Sequence, residues 1–504
     1  MRTLYRAARV HTLSHPPSGE WLMVDGRHVT RVGSGEPPHA DRTVDLPGAT
    51  IIPGFIDTHV HLTATGMALD SEAVTRTRSA ADLLALARNL AADTNGILAM
   101  QGYDESLWED QRVPTLQELD ALGDRPLVIR RADGHVALAN RAAISGAHIG
   151  EVAGCERADD GGFTGRVTQA ADQQLWAWVT ASMSDHAVQD HQLRAASLAA
   201  SRGVTTVHEM SMPHWYGSRD LDVFLGHRDR LPVDTTLIIA TTNIRRAVEL
   251  GLPAVGGDLP VDGSIGARTA ALSAPYTDGS GEGVTYFDDE ALGAFFQGGH
   301  TAGLQVGVHA IGDRAIEQVL TAWERVYRAL ETQQRRHFRA RRHRIEHFEM
   351  PSEQQIERAA MLGIAVSVQP TFDRTWGGSG GLYQTGLGTH RAASMNPFRT
   401  FLDRGLEFGV GSDSPITPLD PMLTISALES HHNPAQRLTR AEAIGIHTAG
   451  SARVAHHEGK KGALGPGMHA DFAAYPRDPF AAGDDIGSLR PILVVSLGRE
   501  VFAG

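Results

Sequence analysis

Cysteine and lysine are both scarce in this sequence. Its 504 residues include one cysteine, Cys155. A single thiol excludes an internal disulfide framework and a metal cluster built from cysteines. Lysine occurs only at Lys460 and Lys461, and the remaining basic residues are arginines. Any chemistry that depends on a lysine amine is therefore excluded from the first 459 residues.

Excess positive charge and long apolar runs are also missing. The chain has 46 basic and 59 acidic residues and a formal net charge of −13, so it offers no basic stripe to a nucleic acid. Its first twenty residues contain arginines without a continuous apolar stretch, which predicts neither a signal peptide nor a membrane span. We expect a cytoplasmic protein that binds a small molecule and neither nucleic acid nor membrane. A homodimer is left open.

Both ends of the chain are rich in β-strand patterns. "LYRAARV", "EWLMV" and "HVTRV" lie near the N-terminus, and Asp25-Gly26 marks a hairpin turn between the last two. Residues 471–475 and 492–503 repeat the pattern near the C-terminus, with a break at Gly498. We predict a small β-sandwich built from residues 1–52 and 456–504.

Between the two ends, strand-like runs alternate with helical patterns, which predicts parallel strands connected by helices. Eight such runs favour a (β/α)₈ TIM-like barrel over residues 53–455; they cover 55–61, 204–209, 234–240, 257–262, 304–309, 343–347, 364–369 and 406–413. An open doubly wound sheet would need a Gly-rich phosphate loop near the first strand, and none is present. The fold class is therefore α/β.

Two connections are longer than a barrel requires. Residues 62–200 are predicted to form an inserted α/β subdomain that covers the substrate. Residues 372–400 are rich in glycine and suit either an active-site lid or a mobile surface loop.

The sequence after the fifth run predicts a helix with one buried face, because apolar residues recur at a spacing of three or four from Ile316 to Leu330.

Polar residues with metal-ligand chemistry lie at the ends of four predicted strands. In "PGFIDTHVHL", His59 and His61 share one face of the first strand with Asp57, because strand side chains alternate. His309, His347 and Asp413 end the fifth, sixth and eighth runs. Such a set at the C-terminal mouth of a barrel indicates a divalent metal, for which zinc fits best and iron, manganese and nickel stay open.

With "VHAIGDRAI", "RHRIEHFE" and "GSDSPI", this motif resembles the amidohydrolase superfamily of metal-dependent hydrolases. "GYDESLW", "RADGHVALAN", "GVTTVHEM" and "DGSIGARTAAL" are similar to the branch that includes N-substituted formamide deformylases. The resemblance implies that His59, His61, His309 and His347 bind the metal or contact metal-bound water and that Asp413 is a metal ligand. It also implies that Asp413 shuttles the proton and that His347, where it is not fully committed to the metal, stabilises the oxyanion.

The resemblance further implies that metal-activated hydroxide cleaves a non-peptide C–N bond of an amide, N-acyl or N-formyl compound. A deaminase or a cyclic-amide hydrolase of the same superfamily is the alternative. A metal-free scaffold is disfavoured, because a scaffold is expected to lose ligands and all five positions are occupied here.

The chain departs from the superfamily in its bridging group. Many relatives hold two metals bridged by a carboxylated lysine, and relatives in this branch often carry a lysine where this sequence has Asp258. Without a lysine before Lys460, that bridge is impossible. Asp258 or Glu209 would have to replace the lysine, or the site holds a single ion. From the sequence we favour one ion over two.

The predicted insertion supplies candidate substrate contacts. Tyr103, Trp108 and His135 are aromatic or polar residues in a segment that would overhang the barrel mouth, and Trp108 and His135 are the two that we assign to substrate binding. Arg131 could bind a carboxylate of the substrate or pair with Asp133, and the sequence leaves this open.

Overall fold

The strands form four sheets within the described part of the chain, which in this computed structural model comprises residues 1–70, 72–93, 96–481, 483 and 485–504. They are β1 (Arg2–His11), β2 (Ser18–Asp25), β3 (His28–Gly33), β4 (Arg42–Pro53), β5 (Phe55–Val60), β6 (Leu98–Tyr103), β7 (Leu127–Arg131), β8 (Val136–Ala139), β9 (Cys155–Arg157), β10 (Phe163–Thr168), β11 (Val204–Ser211), β12 (Asp234–Ile239), β13 (Ala254–Val255), β14 (Gln305–Ala310), β15 (Arg344–His347), β16 (Ala365–Val368), β17 (Glu407–Val410), β18 (Phe472–Tyr475), β19 (Leu493–Ser496) and β20 (Arg499–Ala503).

Helices occupy most of the connections between these strands. They are α1 (Leu62–Asp70), α2 (Ala80–Asp93), α3 (Leu116–Asp120), α4 (Arg141–Gly146), α5 (Gln169–Ala181), α6 (Asp185–Ser201), α7 (Pro213–His227), α8 (Ile244–Glu249), α9 (Asp289–Thr301), α10 (Asp313–Arg328), α11 (Thr332–Ala340), α12 (Glu353–Leu362), α13 (Pro370–Trp376), α14 (Leu382–Leu387), α15 (Thr389–Ala393), α16 (Phe398–Asp403), α17 (Pro421–Glu429), α18 (Arg440–Gly445) and α19 (Ser451–Val454). Among the described residues, none of these helices combines the length and apolarity needed to cross a bilayer.

The two ends of the chain share one seven-stranded sheet, in the order β20-β19-β18-β4-β1-β2-β3. β4 lies in its middle and pairs parallel with β1 and antiparallel with β18. The predicted hairpin joins β2 to β3, with Asp25 opposite His28. Tyr5, Phe472 and Val495 are buried together on this sheet, so each end of the chain completes the other's core.

Eight parallel strands follow the order of the chain in two further sheets, β12-β11-β5 and β13-β14-β15-β16-β17. Backbone hydrogen bonds connect these sheets at both sides. Gly256 N donates to Ile239 O at 2.8 Å beside β12, and Asp413 N donates to His59 O at 2.8 Å beside β5. The helix predicted after the fifth run is α10, and its apolar face is buried. Its Trp323 stacks on Phe296 with the ring centroids 4.0 Å apart.

The fourth parallel strand lies earlier than its predicted range of 257–262. Only Ala254–Val255 form a strand, and Gly256 and Gly257 follow with φ of 88° and 55°. A side chain at Gly256 would meet Gly307 O, because its Cβ would come within 2.1 Å of that atom. Glycine thus allows a close approach that ends the strand and leads the chain to Asp258.

The segment between β5 and β11 contains a five-stranded sheet of its own, in the order β6-β7-β8-β10-β9. One face packs on a cluster around Trp176, and another cluster contains Tyr103, Trp108 and Ile129. These elements lie inside the predicted insertion of residues 62–200. The domain limits drawn from the sequence stay predictions.

Candidate metal centre and cavity

Strand ends bring His59, His61 and Asp413 together. His59 lies in β5, His61 follows it, and Asp413 lies just after β17. The bond from Asp413 N to His59 O and a second from His61 N to Ser414 O, at 3.0 Å, hold these two strand ends together. Nε2 of His61 lies 3.1 Å and Nε2 of His59 lies 3.3 Å from Oδ1 of Asp413. All three side chains are buried.

Asp57, which the strand pattern places on the face of His59, does not face this cluster. Its carboxylate accepts hydrogen bonds from Ser412 N at 3.0 Å and from His59 N at 3.1 Å. Asp57 therefore fixes the backbone on which His59 and Asp413 lie.

Asp258 lies between two pairs of histidines. Its Oδ2 is 3.4 Å from Nε2 of His61 and 3.6 Å from Nε2 of His59. Its Oδ1 is 3.2 Å from Nε2 of His347 and 3.3 Å from Nδ1 of His309. Four of the five predicted ligands, all histidines, thus surround Asp258, which the sequence offered only as an alternative bridge. Its signal was its position four residues before "DGS", where the resemblance implies a lysine.

Each of these histidines directs one nitrogen toward the carboxylates and the other toward a protein acceptor. The outer contacts are His59 Nδ1 with Glu346 Oε2 (2.9 Å), His61 Nδ1 with Met210 O (2.9 Å), His347 Nδ1 with Gln369 Oε1 (2.8 Å) and His309 Nε2 with Gly263 O (3.3 Å). Such outer contacts are usual for imidazoles that bind metal, because they fix the ring and its tautomer.

The backbone is left-handed at three positions of the site. His347, Phe348 and Asp413 have φ of 71°, 52° and 53°. The side chain of Glu346 points toward His59, so a regular strand would turn the next residue, His347, to the opposite face. The left-handed backbone accompanies a ring that nevertheless reaches Asp258. Unfavourable backbone of this kind is concentrated at functional sites.

Opposite charges dominate the electrostatics of the centre. Burial lowers the pKa of His61, but the nearby carboxylates of Asp258 and Asp413 outweigh it and raise that pKa to about 10. Burial raises the pKa of Asp413, yet His59 and His61 hold it well below its usual range. The two ionised carboxylates therefore favour positive charge at the centre, which a proton on His61 or a divalent cation would supply. Imidazole nitrogen and carboxylate oxygen together suit zinc and other divalent transition metals.

Unpartnered atoms support the fit of a cation. Among the described residues, Nε2 of His59 and Oδ1 of Asp413 are buried atoms without a hydrogen-bond partner. Ligand atoms of His59, His61 and Asp413, and of His59, Asp258 and His347, come within 4.8 Å of one another. Glu209 is the other proposed bridge, and its Oε2 instead accepts a hydrogen bond from Leu62 N at 2.8 Å.

A cavity of about 1020 Å³, counting the part open to solvent, lies above the centre. Its lining includes His135, whose ring lies 6.0 Å from that of His309. Burial lowers the pKa of His135 to about 4, so the ring is neutral at pH 7. Trp108, the other predicted substrate contact, lies in the core of the insertion with Tyr103, where its Nε1 donates to Thr77 O at 3.0 Å. It is outside the residues that line the cavity.

The Gly-rich segment 372–400 is folded: it contains α14 and α15, most of α13 and the start of α16. Its residues Phe372, Trp376 and Tyr383 line the cavity. Trp376 Nε1 donates to Asp104 Oδ2 at 3.2 Å, which connects the segment to the insertion. The segment therefore forms a wall of the cavity.

Arg131 is occupied by protein carboxylates. Its guanidinium contacts Glu105 at 2.8 Å, Asp133 at 2.8 Å and Asp104 at 3.0 Å. Of the two roles that the sequence leaves open, pairing with Asp133 is the one that the structure contains.

Comparisons with known proteins indicate what this chain is similar to. A sequence model of the amidohydrolase family matches residues 42–502. YtcJ of Bacillus subtilis (strain 168), named as a presumed amidohydrolase, is 30% identical over 476 residues, which cover 87% of this chain and 86% of that protein. The N-substituted formamide deformylase of Arthrobacter pascens is 25% identical over 536 aligned positions, covering 94% and 92%. An uncharacterized metal-dependent hydrolase from Pyrococcus furiosus has a TM-score of 0.74 at 26% identity, covering 95% of this chain and 100% of that one. The chain belongs to the amidohydrolase family.

Proposed function

We propose that the protein is a metal-dependent hydrolase that cleaves a non-peptide C–N bond of a small amide, N-acyl or N-formyl compound. The observation that carries this proposal is the buried, unpartnered pair of His59 Nε2 and Asp413 Oδ1 beneath the cavity. The formamide deformylase among the relatives supports the bond type. A deaminase or a cyclic-amide hydrolase remains the alternative.

His59, His61, His309, His347, Asp413 and Asp258 would hold the metal. A divalent cation, for which we propose zinc, would supply Lewis acidity and a nucleophilic water at neutral pH. The sequence favours one ion, whereas the position of Asp258 supports two. Its two oxygens face different histidine pairs, as those of a bridging carboxylate would.

Two protein groups are suited to handle the substrate. Asp413, held ionised, would take a proton from the attacking water and pass it to the departing nitrogen. The neutral ring of His135 could donate a hydrogen bond to the substrate carbonyl oxygen, because the ring lines the cavity above the histidines.

The charges at the cavity wall favour a neutral substrate. Arg130 is paired with Asp172 at 2.9 Å, and Glu349 accepts a hydrogen bond from Tyr383 Oη at 2.6 Å. Because Arg131 is also paired, neither arginine is free for a substrate carboxylate. Apolar side chains supply much of the remaining wall, including Met212, Trp215, Ile265, Phe372, Trp376 and Ile416.

The arrangement of the parallel strands supports the proposed site. We infer that the eight parallel strands close into a (β/α)₈ barrel, supported by the hydrogen bonds at both junctions of the two sheets. The seven-stranded sheet would supply the strands of the predicted terminal β-sandwich. The centre would lie at the C-terminal mouth of the barrel, where enzymes of this fold carry their active sites.

The test is a substrate panel with a metal control. Neutral N-formyl and N-acyl amines, cyclic amides and aminopurines would be incubated with the enzyme, with and without chelator, while released amine, opened ring or ammonia is measured. We expect amine release that chelator abolishes and added zinc restores. Ammonia release alone would favour a deaminase, and full activity without any bound metal would refute the proposal.

A further inference from the structure

We propose that Glu346, held by Arg344, is a positioning residue that fixes His59 in the tautomer whose Nε2 is free to bind metal. The inference rests on the proposed metal centre. It adds a residue that lies outside the ligand set and acts through His59.

Glu346 contacts His59 directly in a fully buried environment. Its Oε2 lies 2.9 Å from His59 Nδ1, and both side chains are 0% exposed. An ionised carboxylate accepts hydrogen bonds and cannot donate them. Nδ1 of His59 must therefore carry the proton, and in the neutral ring Nε2 is left with a free electron pair. Nε2 is also the atom that faces Asp413.

Arg344 keeps Glu346 ionised and in place. Its Nε donates to Oε1 at 2.7 Å and its Nη2 donates to Oε2 at 2.9 Å. This bidentate pair offsets the cost of burying the charged carboxylate. The negative charge beside His59 is thus maintained inside the protein.

The same guanidinium connects three strands below the centre. Its Nη2 donates to Thr58 O at 2.8 Å, which is the backbone of β5 directly before His59. Its Nη1 lies 3.0 Å from Nδ1 of His208 on β11, which must accept because a guanidinium only donates. Arg344 therefore fixes the strand of His59 as well as the acceptor for its ring.

The contact of His59 differs from those of His61 and His347. Their outer nitrogens face Met210 O and the Gln369 amide oxygen, which are neutral acceptors. A carboxylate acceptor increases the basicity of the ring more than a neutral one does. The loss of the charge on Glu346 should consequently weaken metal binding. It also leaves the buried Arg344 without its partner, so a lower free energy of unfolding is expected in addition.

The test compares the wild-type protein with Glu346→Gln, which keeps the shape and removes the charge. Metal-free protein would be titrated with Zn²⁺ in competition with a chromophoric chelator, and the visible absorption spectrum of the Co²⁺ form would be recorded. We expect Glu346→Gln to bind Zn²⁺ about 10–100-fold more weakly and to shift the Co²⁺ bands. Glu346→Asp, which keeps the charge but retracts it from His59, should also weaken binding and serves if the Gln variant does not fold.

Asp471→Asn is the matched control. Asp471 is a buried carboxylate paired with Lys461 Nζ at 2.6 Å, and Lys461 also contacts Thr206 near the start of β11. This variant should lower the melting temperature of the metal-free protein and leave Zn²⁺ affinity and the Co²⁺ spectrum unchanged.

The outcomes separate the inference from the proposed function. If the wild-type protein binds Zn²⁺ and the folded Glu346 variant binds it equally well with the same Co²⁺ spectrum, Glu346 is only structural and the inference is overturned. If the wild-type protein itself binds no divalent metal, the proposed function fails, and the inference fails with it.

Discussion

Nε2 of His59 lies 3.3 Å from Oδ1 of Asp413, and both are buried atoms without a hydrogen-bond partner among the described residues. A buried polar atom that forms no hydrogen bond is costly. One of the two atoms is a nitrogen with a free electron pair, in a ring that Glu346 would hold in place, and the other is a carboxylate oxygen. A cation bound between them would remove the cost of burying both. The clearest expectations for experiment follow from this pair.

Asp413→Asn should reduce kcat by about 10²–10⁴-fold, because the amide cannot take up a proton as the carboxylate does. The measurement is kcat on the best substrate of the panel, together with metal content by mass spectrometry. A fully metallated Asp413→Asn protein with near-normal kcat would remove Asp413 from proton transfer.

Asp258→Asn should reduce the metal content from about two ions per chain to one or none, because an amide bridges two cations poorly. The content would be measured on protein purified with excess zinc. Glu209→Gln is the control, since Glu209 is an equally buried carboxylate that contacts Leu62 N. A content of one ion in both the wild-type protein and Asp258→Asn would contradict the bridging role.

His135→Phe should lower kcat/KM by about 3–10-fold, the effect of one lost hydrogen bond to the substrate.

Trp108→Phe should leave kcat/KM unchanged and reduce the free energy of unfolding by about 1 kcal/mol, because it removes the hydrogen bond to Thr77 O. Steady-state kinetics and urea denaturation on both variants would check this. A kinetic defect in Trp108→Phe with normal stability would place Trp108 in substrate binding after all.

Glu442→Gln should destabilise the protein more at pH 7 than at pH 3. The hydrogen bond from Arg399 is the largest effect on the pKa of Glu442. Burial raises this pKa, but Arg399 and Thr439 together lower it from 4.5 to about 2. A lowered pKa in the folded state stabilises the protein above about pH 4.5, and this contribution is lost as the pH falls toward 2. Urea denaturation at both pH values measures the difference.

Asp403→Asn provides a comparison for that variant, since Asp403 lies 3.9 Å from the same arginine with a side chain that is 63% exposed. An exposed pair of this kind contributes little. An equal effect of Glu442→Gln at the two pH values would show that its charge does not contribute to stability.

Local patterns in the sequence were sufficient for much of the site. His59 and His61 could be paired because strand side chains alternate, and His309 could be placed because its run ends at the same edge. Both deductions use only neighbouring residues and the common direction of parallel strands. The family resemblance supplied the roles of these residues, which the geometry accommodates.

Long-range packing decided what the sequence could not show. Asp258 reaches the centre because two glycines with left-handed backbone end β13 early, and no periodicity indicates this. Trp108 is buried because the insertion forms a core of its own, so an aromatic residue in a covering segment became structural. The hydrogen bonds of Asp57 to Ser412 depend on a contact between strands that are far apart in the chain.

The shared sheet of the chain ends affects how the protein is made. β4 pairs with β18 on one side and β1 on the other, so the ribosome completes residues 1–53 long before the partner strand exists. Until then, the strand that leads directly into the His59 motif has an unpaired edge. Nascent chains arrested before residue 472 should therefore be prone to aggregation, and the strand that leads to the candidate metal centre can pair on both sides only after β18 has been synthesised.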